Sequence, residues 1–253
     1  MYFDSHAHYD DERFDEDREV LLESLKEKGV DFVVNAAANM KSCETSLALA
    51  KKYSFIYSSV GVHPHDVKEL TELDLEKMKE LATDEKVVAI GEIGLDYYYD
   101  HSPREDQRIW FRKQLLLAKE LDLPVIIHSR EASQETFDMI IESGVKEGVI
   151  HCFSGSYELA KEYVKRGFYL GIGGTLTFKN AKKTVEVVKG IDLKHLLIET
   201  DCPYLTPVPH RGERNDSSYL KYVAWKIAEL KEVSEEEVAR CTSQNARDLF
   251  RIK

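Results

Sequence analysis

The chain has 253 residues, of which 43% are hydrophobic and 32% are charged, and its formal net charge is −11. This composition excludes a disordered chain, and the lack of any long apolar stretch or leader-like N-terminus predicts a cytoplasmic protein that does not contact the membrane. The acidic balance excludes a general nucleic-acid coat protein with a broad basic face, but not an enzyme acting on nucleic acids, because bound dications would supply positive charge.

Apolar runs typical of β-strands alternate along the chain with segments of helical spacing. Eight strands are predicted, at residues 3–6, 32–36, 56–60, 87–91, 125–128, 148–151, 169–172 and 196–199. Repeated strand-helix units predict a parallel sheet, and eight of them most simply close into a (β/α)8 TIM barrel, an α/β fold forming one domain over residues 1–253. The alternative, an open doubly wound sheet, would spread the strand ends along a wide edge.

Helical spacing is clearest in the segment after the first strand. Residues 15–28 place Val20, Leu21 and Leu25 along one face, and the segment stops at Gly29, a usual C-terminal cap. We therefore predict a helix over this segment with these three side chains turned towards the core.

Capping residues predict two later helices. Ser102, which precedes Pro103, is expected to cap a helix that runs to about Leu121. Ser234 begins a second capping-box pattern near the C-terminus, ahead of a last helix at residues 245–250.

Five of the predicted strands end on residues that bind divalent metals. These residues are His6 and His8 at the first strand, Glu92 at the fourth, His128 at the fifth, His151 at the sixth and Asp201 at the eighth. Imidazole nitrogen and carboxylate oxygen suit Zn, Mn and Fe, and carboxylates also bind Mg. Because the C-terminal ends of barrel strands converge on one mouth, closure of the barrel is expected to bring all six residues together.

The cysteines are predicted to be reduced. Cys43, Cys152, Cys202 and Cys241 form no C-x-x-C pair, so neither a disulfide framework nor a thiolate zinc site is expected. Cys152 and Cys202 each follow a proposed ligand directly. Since successive side chains of an extended strand face opposite ways, both thiols are expected to point away from the metals.

In the motifs at these strand ends, the chain resembles the TatD-like metal-dependent deoxyribonucleases, within the wider amidohydrolase-like barrels. The resemblance runs essentially from end to end of the chain. Its motifs are Asp4-Ser5-His6-Ala7-His8, Gly61-Val62-His63-Pro64, Gly91-Glu92-Ile93-Gly94-Leu95-Asp96-Tyr97, His151-Cys152-Phe153-Ser154-Gly155 and Glu199-Thr200-Asp201-Cys202-Pro203. An H-x-H pattern alone is a weak signal, but all five motifs in order make a strong match.

The resemblance implies two divalent metal ions per chain, with Mg, Mn and Zn as the candidates. The two histidines of the first strand, one strand period apart, would chelate one ion together with Asp201. His128 and His151 would hold the second ion. Glu92 would bridge the two, because a carboxylate has two oxygens.

The resemblance also implies catalytic roles for three residues. Glu92 would hold both ions, and Asp201 would accept a proton from the attacking water. His63, which ends the third strand and is not needed as a ligand, would contact the scissile phosphate or protonate the leaving group. The alternative for His63 is a histidine hydrogen-bonded within its loop. His65, beyond Pro64, is expected to be solvated.

The loop after the eighth strand is expected to overhang the same mouth. The resembling family carries an Arg-Gly-x-x-Asn pattern here, which favours Arg211 and Asn215 over Arg214 as contacts to the phosphate or sugar of the substrate. On the residues alone, a solvated loop with a salt bridge to Glu213 is equally well supported.

The fourth βα loop carries three consecutive tyrosines, Tyr97, Tyr98 and Tyr99. Exposed rings at this position would stack on unpaired bases, and the alternative is that they close the top of the barrel. Asp96, just before them, is expected to orient a ligand or a loop amide rather than to bind metal itself.

The remaining candidates are predicted to be structural. His101 reads as a surface residue and Ser156 as a plain N-cap. For Lys179, Lys182 and Lys183 we favour a solvated helix face over a role in steering nucleic acid to the mouth.

The resemblance thus predicts a metal-dependent deoxyribonuclease that hydrolyses DNA phosphodiester bonds as an exonuclease, on single-stranded or frayed DNA and without an obligatory protein partner. Two alternatives remain. One is a binuclear hydrolase of a small amide, lactone or phosphoester, because the fold does not fix the substrate. The other is a non-catalytic protein with structural metals, although structural sites usually saturate their metal with protein ligands.

Overall fold

In the computed structural model, which describes residues 1–253, eight parallel strands form one sheet, and each strand pairs with the next along the chain. The strands are β1 (Tyr2–Ala7), β2 (Val30–Asn35), β3 (Ile56–Val60), β4 (Val87–Asp96), β5 (Val125–Arg130), β6 (Gly148–Ile150), β7 (Phe168–Ile172) and β8 (Leu196–Ile198). Where the last strand meets the first, the Asp201 amide donates to the His6 carbonyl and the His8 amide donates to the Cys202 carbonyl, each at 2.9 Å. The predicted (β/α)8 barrel is confirmed, and the open sheet is excluded.

Nine helices surround the sheet. They are α1 (Arg18–Ser24), α2 (Met40–Lys52), α3 (Glu72–Leu81), α4 (Arg104–Leu121), α5 (Ser133–Ser143), α6 (Tyr157–Lys165), α7 (Lys182–Gly190), α8 (Leu220–Lys231) and α9 (Glu235–Phe250). Their buried faces pack against the outside of the barrel, where residues such as Phe111 of α4 and Ile227 of α8 are inaccessible to solvent. None of these helices combines the length and apolar character that a bilayer crossing needs.

Several strand bounds differ from the predicted ones. β4 continues beyond Gly91 and β5 beyond His128, because their parallel pairing extends to the pair Asp96 and Arg130. Glu92 and His128 therefore lie inside their strands and not at the strand ends. β6 and β8 instead end before the residues predicted to close them, so their ligand residues lie in the loops that follow.

The first helix is shorter than predicted. α1 covers only Arg18–Ser24, and residues 25–29 form turns. Leu21 and Leu25 are buried as expected, but Val20 is 73% exposed, so its assignment to the core-facing side was wrong. Adjacent helical positions lie about 100° apart around the axis, and only one of the pair Val20 and Leu21 faces the barrel fully.

The two capping predictions had different outcomes. Ser102 does not cap α4, because its hydroxyl donates to the His65 carbonyl at 2.8 Å, although the helix does end at Leu121. Ser234 does cap α9, since its side chain accepts from the Glu237 amide at 3.1 Å. The helix then runs unbroken to Phe250, so the separate last helix predicted at residues 245–250 is only the final part of α9.

Asn245 joins α9 to the start of β8, and this contact yields a stability prediction. Its Nδ2 donates to the carbonyls of Leu193 (2.9 Å) and Leu196 (2.8 Å) in a buried position. Asn245→Ala removes both hydrogen bonds and should lower the free energy of unfolding in urea by about 1–3 kcal/mol. Gln244→Ala, an exposed neighbour on the same helix, is the control and should change it by less than about 0.5 kcal/mol. Equal effects of the two substitutions would contradict this role for Asn245.

Candidate metal centre

At the C-terminal mouth of the barrel, five residues that are far apart in the sequence surround one buried carboxylate, that of Glu92. Glu92 is only 4% exposed. Its carboxylate oxygens lie 3.4 Å from His6 Nε2, 3.8 Å from His8 Nε2, 3.0 Å from His128 Nδ1 and 3.9 Å from His151 Nε2. The Oδ1 atom of Asp201 lies 3.7, 3.3 and 3.8 Å from the Nε2 atoms of His6, His8 and His151. All six residues predicted as ligands therefore meet at one centre.

Extended backbone geometry explains why His6 of β1 and His8, directly after β1, can act together. His6 and His8 are separated by one residue, so their side chains share a face, and their Nε2 atoms lie 3.0 Å apart. His8 Nδ1 is 2.9 Å from the carbonyl of Ala36, which places a proton on Nδ1 and directs Nε2 towards the centre. Asp201 has a left-handed backbone, with φ of 57°, which Asp tolerates better than most residues.

The donor set fits a divalent cation. Ligand atoms in a tetrahedral site with bonds near 2.0–2.1 Å lie about 3.3 Å apart, close to the 3.0–3.8 Å separations among His6, His8 and Asp201. Two further groups, His63 with Glu92 and His128, and His6 with His151 and Glu199, place one donor atom from each residue within 4.8 Å of the others. Nitrogen and carboxylate oxygen donors so close together fit a divalent metal centre.

The charges in the site favour positive charge at its centre. Burial disfavours the charged form of Glu92, but His63, His6 and His151 outweigh it and hold the pKa of the carboxyl well below its usual value. Burial likewise opposes protonation of His8, yet Asp201 and Glu92 raise the pKa of that imidazole to about 9. Protons and dications therefore compete for the same nitrogens, so a bound cation must displace protons.

Asp96 links two histidines at the side of this centre. Its Oδ2 lies 3.1 Å from His128 Nε2 and 3.0 Å from His65 Nε2, and its Oδ1 accepts from the amides of Tyr98 and Tyr99. Asp96 thus orients both a proposed ligand and a loop, as its sequence position predicts. His65 was predicted to be solvated, and this was wrong: its imidazole is held by Asp96 at the wall of the mouth.

Two residues that sequence reasoning did not select support the ligands from behind. Glu199, fully buried, lies 3.0 Å from His151 Nδ1 and accepts the Cys152 amide at 2.6 Å. A Cβ at position 171 would overlap the Glu199 carboxylate, so Gly171 of β7 leaves the space that Glu199 occupies. Glu199 stands two residues before Asp201 in the same motif, and this position could have identified it from the sequence.

Asp4 is the second supporting residue and ties together two segments that carry ligands. Its carboxylate accepts from the amides of His6 (3.3 Å) and Thr200 (3.0 Å) and from the hydroxyl of Ser217 (2.6 Å). Burial raises the pKa of Asp4 to about 7, although these hydrogen bonds oppose the shift. Asp4 also stands in a motif, at the start of the H-x-H pattern.

His63 lies beside the centre in a state suited to donating a hydrogen bond. Its Nε2 is 3.7 Å from Glu92, and its Nδ1 accepts from the His65 amide at 3.2 Å. Burial, followed by the neighbouring His128, lowers the pKa of His63 well below the usual value, so the imidazole is neutral. With Nδ1 accepting, the one proton of the neutral imidazole is on Nε2, the nitrogen that faces Glu92.

The loop after β8 departs from the predicted substrate contacts. Asn215 is fully buried, and its Nδ2 donates to the carbonyls of Thr200 (2.9 Å) and Tyr204 (2.7 Å). Contrary to the prediction, both of its donor hydrogens brace the loop and none faces a substrate. Arg211 is exposed, with its guanidinium 3.9 Å above the ring of Phe178, whereas Arg214 pairs with Asp17. Neither arginine pairs with Glu213, whose carboxylate instead lies 3.1 Å from His210 Nδ1.

Above the metal centre the mouth opens into a cleft of about 1860 Å³. Its lining includes His101, Lys182 and Lys183, which are exposed as predicted, and Cys152, which was predicted to point away from the metals. Cys152 instead lies beyond the end of β6 with φ of 46°, so strand alternation does not apply to it. Cys202 is buried on the far side as expected, and Ser156 caps α6 by accepting from the Leu159 amide at 3.2 Å.

Residues 3–251 match the model of the family described as TatD related DNase. The chain is 50% identical over 254 residues to the uncharacterized metal-dependent hydrolase YabD of Bacillus subtilis (strain 168), with 100% of both chains covered. It is 36% identical over 254 residues to the uncharacterized metal-dependent hydrolase YcfH of Escherichia coli (strain K12), with 98% of this chain and 95% of the relative covered.

A solved structure has the same architecture. The crystal structure of YjjV, a TatD homolog from Escherichia coli K12, is similar with a TM-score of 0.94 and 33% sequence identity, covering 100% of this chain and 98% of that one. The family match and the structural similarity thus both extend along the whole barrel, including the segments that carry the proposed ligands. The chain therefore belongs to the TatD-related DNase family of metal-dependent hydrolases.

Proposed function

We propose that this protein is a metal-dependent deoxyribonuclease that hydrolyses DNA phosphodiester bonds as an exonuclease at single-stranded or frayed ends. The observation that carries the proposal is a dense set of metal donors at the base of a cleft of about 1860 Å³. Sites for small molecules typically measure about 300–1,000 Å³, so this cleft has room for a polymer. Membership of a family named for DNase activity supports the same substrate.

The donor set supports two divalent ions of the Mg, Mn or Zn type, with Glu92 between them. His6, His8 and Asp201 would hold one, and His128 and His151 the other. Such ions polarise the phosphoryl oxygen and lower the pKa of water. This chain's residues supply the orientation of the ligands, through Asp96 behind His128 and Glu199 behind His151.

Two side chains are suited to handle protons and the phosphate. Asp201 directs Oδ1 at the histidines, while its side chain keeps 17% exposure towards the cleft, so its carboxylate can accept the proton of the attacking water. The neutral His63 can donate its Nε2 hydrogen to a phosphate oxygen that carries increasing negative charge. Of the two roles predicted for His63, this protonation state favours the contact with phosphate over protonation of the leaving group.

Aromatic rings at the rim suit unpaired bases. Tyr98 and Tyr99 are 54% and 49% exposed, and the Arg130 guanidinium lies 4.1 and 4.7 Å from their ring centroids. Tyr97 instead donates its hydroxyl to Glu135 and packs on the core, which matches the closing role. Stacking on exposed rings contributes about 1–3 kcal/mol per base and tolerates any sequence. For Arg211, which is exposed and lies above Phe178, we keep the contact to the substrate phosphate as part of the proposal.

The nuclease activity is tested with labelled single-stranded DNA in Mg or Mn. The wild type should shorten the DNA, and chelation should stop the reaction. Glu92→Gln should reduce both bound metal, measured by elemental analysis, and cleavage by more than about 100-fold, the upper range for residues that only support ligands. Glu162→Gln, an exposed position on α6, is the control. If DNA survives while a small lactone, amide or phosphoester is hydrolysed, the substrate proposal is wrong.

The role of Asp201 is tested by Asp201→Asn. The amide can still offer an oxygen to a metal but cannot take up a proton at neutral pH. We expect metal to be retained with weaker affinity, while turnover falls by about 10²–10⁴-fold, the usual contribution of a general base. Activity equal to that of the wild type would refute the assignment.

The role of His63 is tested by His63→Ala. Removal of one hydrogen-bond donor to the reacting phosphate should depress turnover by about 10²-fold. Metal content should stay at the wild-type level, because the protonated Nε2 is not a ligand. Loss of metal in this variant would instead make His63 part of the coordination sphere.

A further inference from the structure

We infer that Lys182 and Lys183 form a phosphate-binding wall for the substrate strand beyond the scissile bond, so that the strand leaves the metal centre across the β7–α7 loop. Both side chains line the same cleft as Glu92 and Asp201. This inference rests on the proposed function, because it requires a polyanionic substrate. It specifies the path of the substrate strand through the cleft, which neither the family nor the metal site defines.

The positive charge on this side of the cleft is not neutralised by neighbouring carboxylates. The cleft residues between Thr175 and Thr184 include two lysines and no carboxylate. Lys182 and Lys183 are exposed and form no ion pair, and the first turn of α7 contains no acidic residue. In a chain of net charge −11, two free cations on one wall create a local field that the overall charge conceals.

The wall is also held in place. The Val208 amide donates to the Thr177 hydroxyl at 2.9 Å, which joins the β7–α7 loop to the loop after β8. The Arg211 guanidinium over Phe178 joins the same two loops. The two lysines therefore follow directly on a braced segment of the cleft wall.

The other side of the β8 loop repels a polyanion. In the barrel, the β1–α1 loop and the β7–α7 loop flank that loop, and the β1–α1 loop contributes carboxylates to the cleft. These are Asp10, Asp11, Glu12 and Asp15. The cations nearby are already paired, Arg18 with Asp15 and Lys52 with Glu19. Lys41, at the start of α2, also lines the cleft and forms no ion pair, so a strand path over α2 is the competing alternative.

The test compares two substrates over a range of salt. For Lys182→Gln/Lys183→Gln, kcat/KM on a long oligothymidylate should fall about tenfold at low salt. Its logarithmic dependence on salt, between about 50 and 200 mM, should become shallower by about 1.4, since each phosphate contact on a single strand contributes about 0.7. Hydrolysis of bis(4-nitrophenyl) phosphate, which needs only the metal centre, should change by less than about twofold.

The matched control is Lys165→Gln/Lys189→Gln. It makes the same change in net charge at the last turns of α6 and α7, at the opposite end of the barrel, and should keep the wild-type salt dependence. An unchanged salt dependence in the Lys182/Lys183 variant, with a reduced one in Lys41→Gln, would overturn the inference and place the strand over α2. A wild type that cleaves only the small diester would overturn the nuclease proposal as well.

Discussion

The buried carboxylate of Glu92 imposes the constraint on which the rest of the site depends. An ionised carboxylate almost sealed from water costs several kcal/mol unless partners replace its hydration. Here the partners are imidazoles from β1, β5 and the loops after β3 and β6, and they hold the pKa of Glu92 well below its usual value. No single strand could supply them. The charge therefore requires the closed barrel, and the closed barrel concentrates the donors that a cation needs.

The proposed ligands in turn depend on a layer of groups that do not line the cleft. Asp96 fixes His128 and His65 with one oxygen and two loop amides with the other, while Glu199 stands behind His151. Asp4 accepts from the amide of His6 in β1 and from the amide of Thr200, which precedes Asp201 in the loop after β8. Because each supporting group has several partners, a small displacement of one would be felt by ligands from more than one strand.

Much of the fold and the gathering of the six donors could be predicted, because both follow from the spacing of apolar runs. Strand number sets the barrel, and the barrel sets which ends meet. What sequence could not supply was local backbone shape. Cys152 faces the cleft because it has a left-handed backbone after β6, and Glu92 lies within a strand because pairing continues to Asp96. Asn215 and His65 were misplaced because their hydrogen-bond partners, Thr200 and Tyr204 for Asn215 and Asp96 for His65, depend on the conformation of the loops at the mouth.

The hydrogen bonds that close the barrel join residues 6 and 8 to residues 201 and 202. On a ribosome, the first of these segments emerges at the outset and the second only after four fifths of the chain has been made. The proposed ligand set is therefore incomplete during most of synthesis, and a metal held by that set could not guide the early strands. Apolar packing and strand pairing must order those strands, and a metal bound by the full set would add stability only once translation is nearly finished.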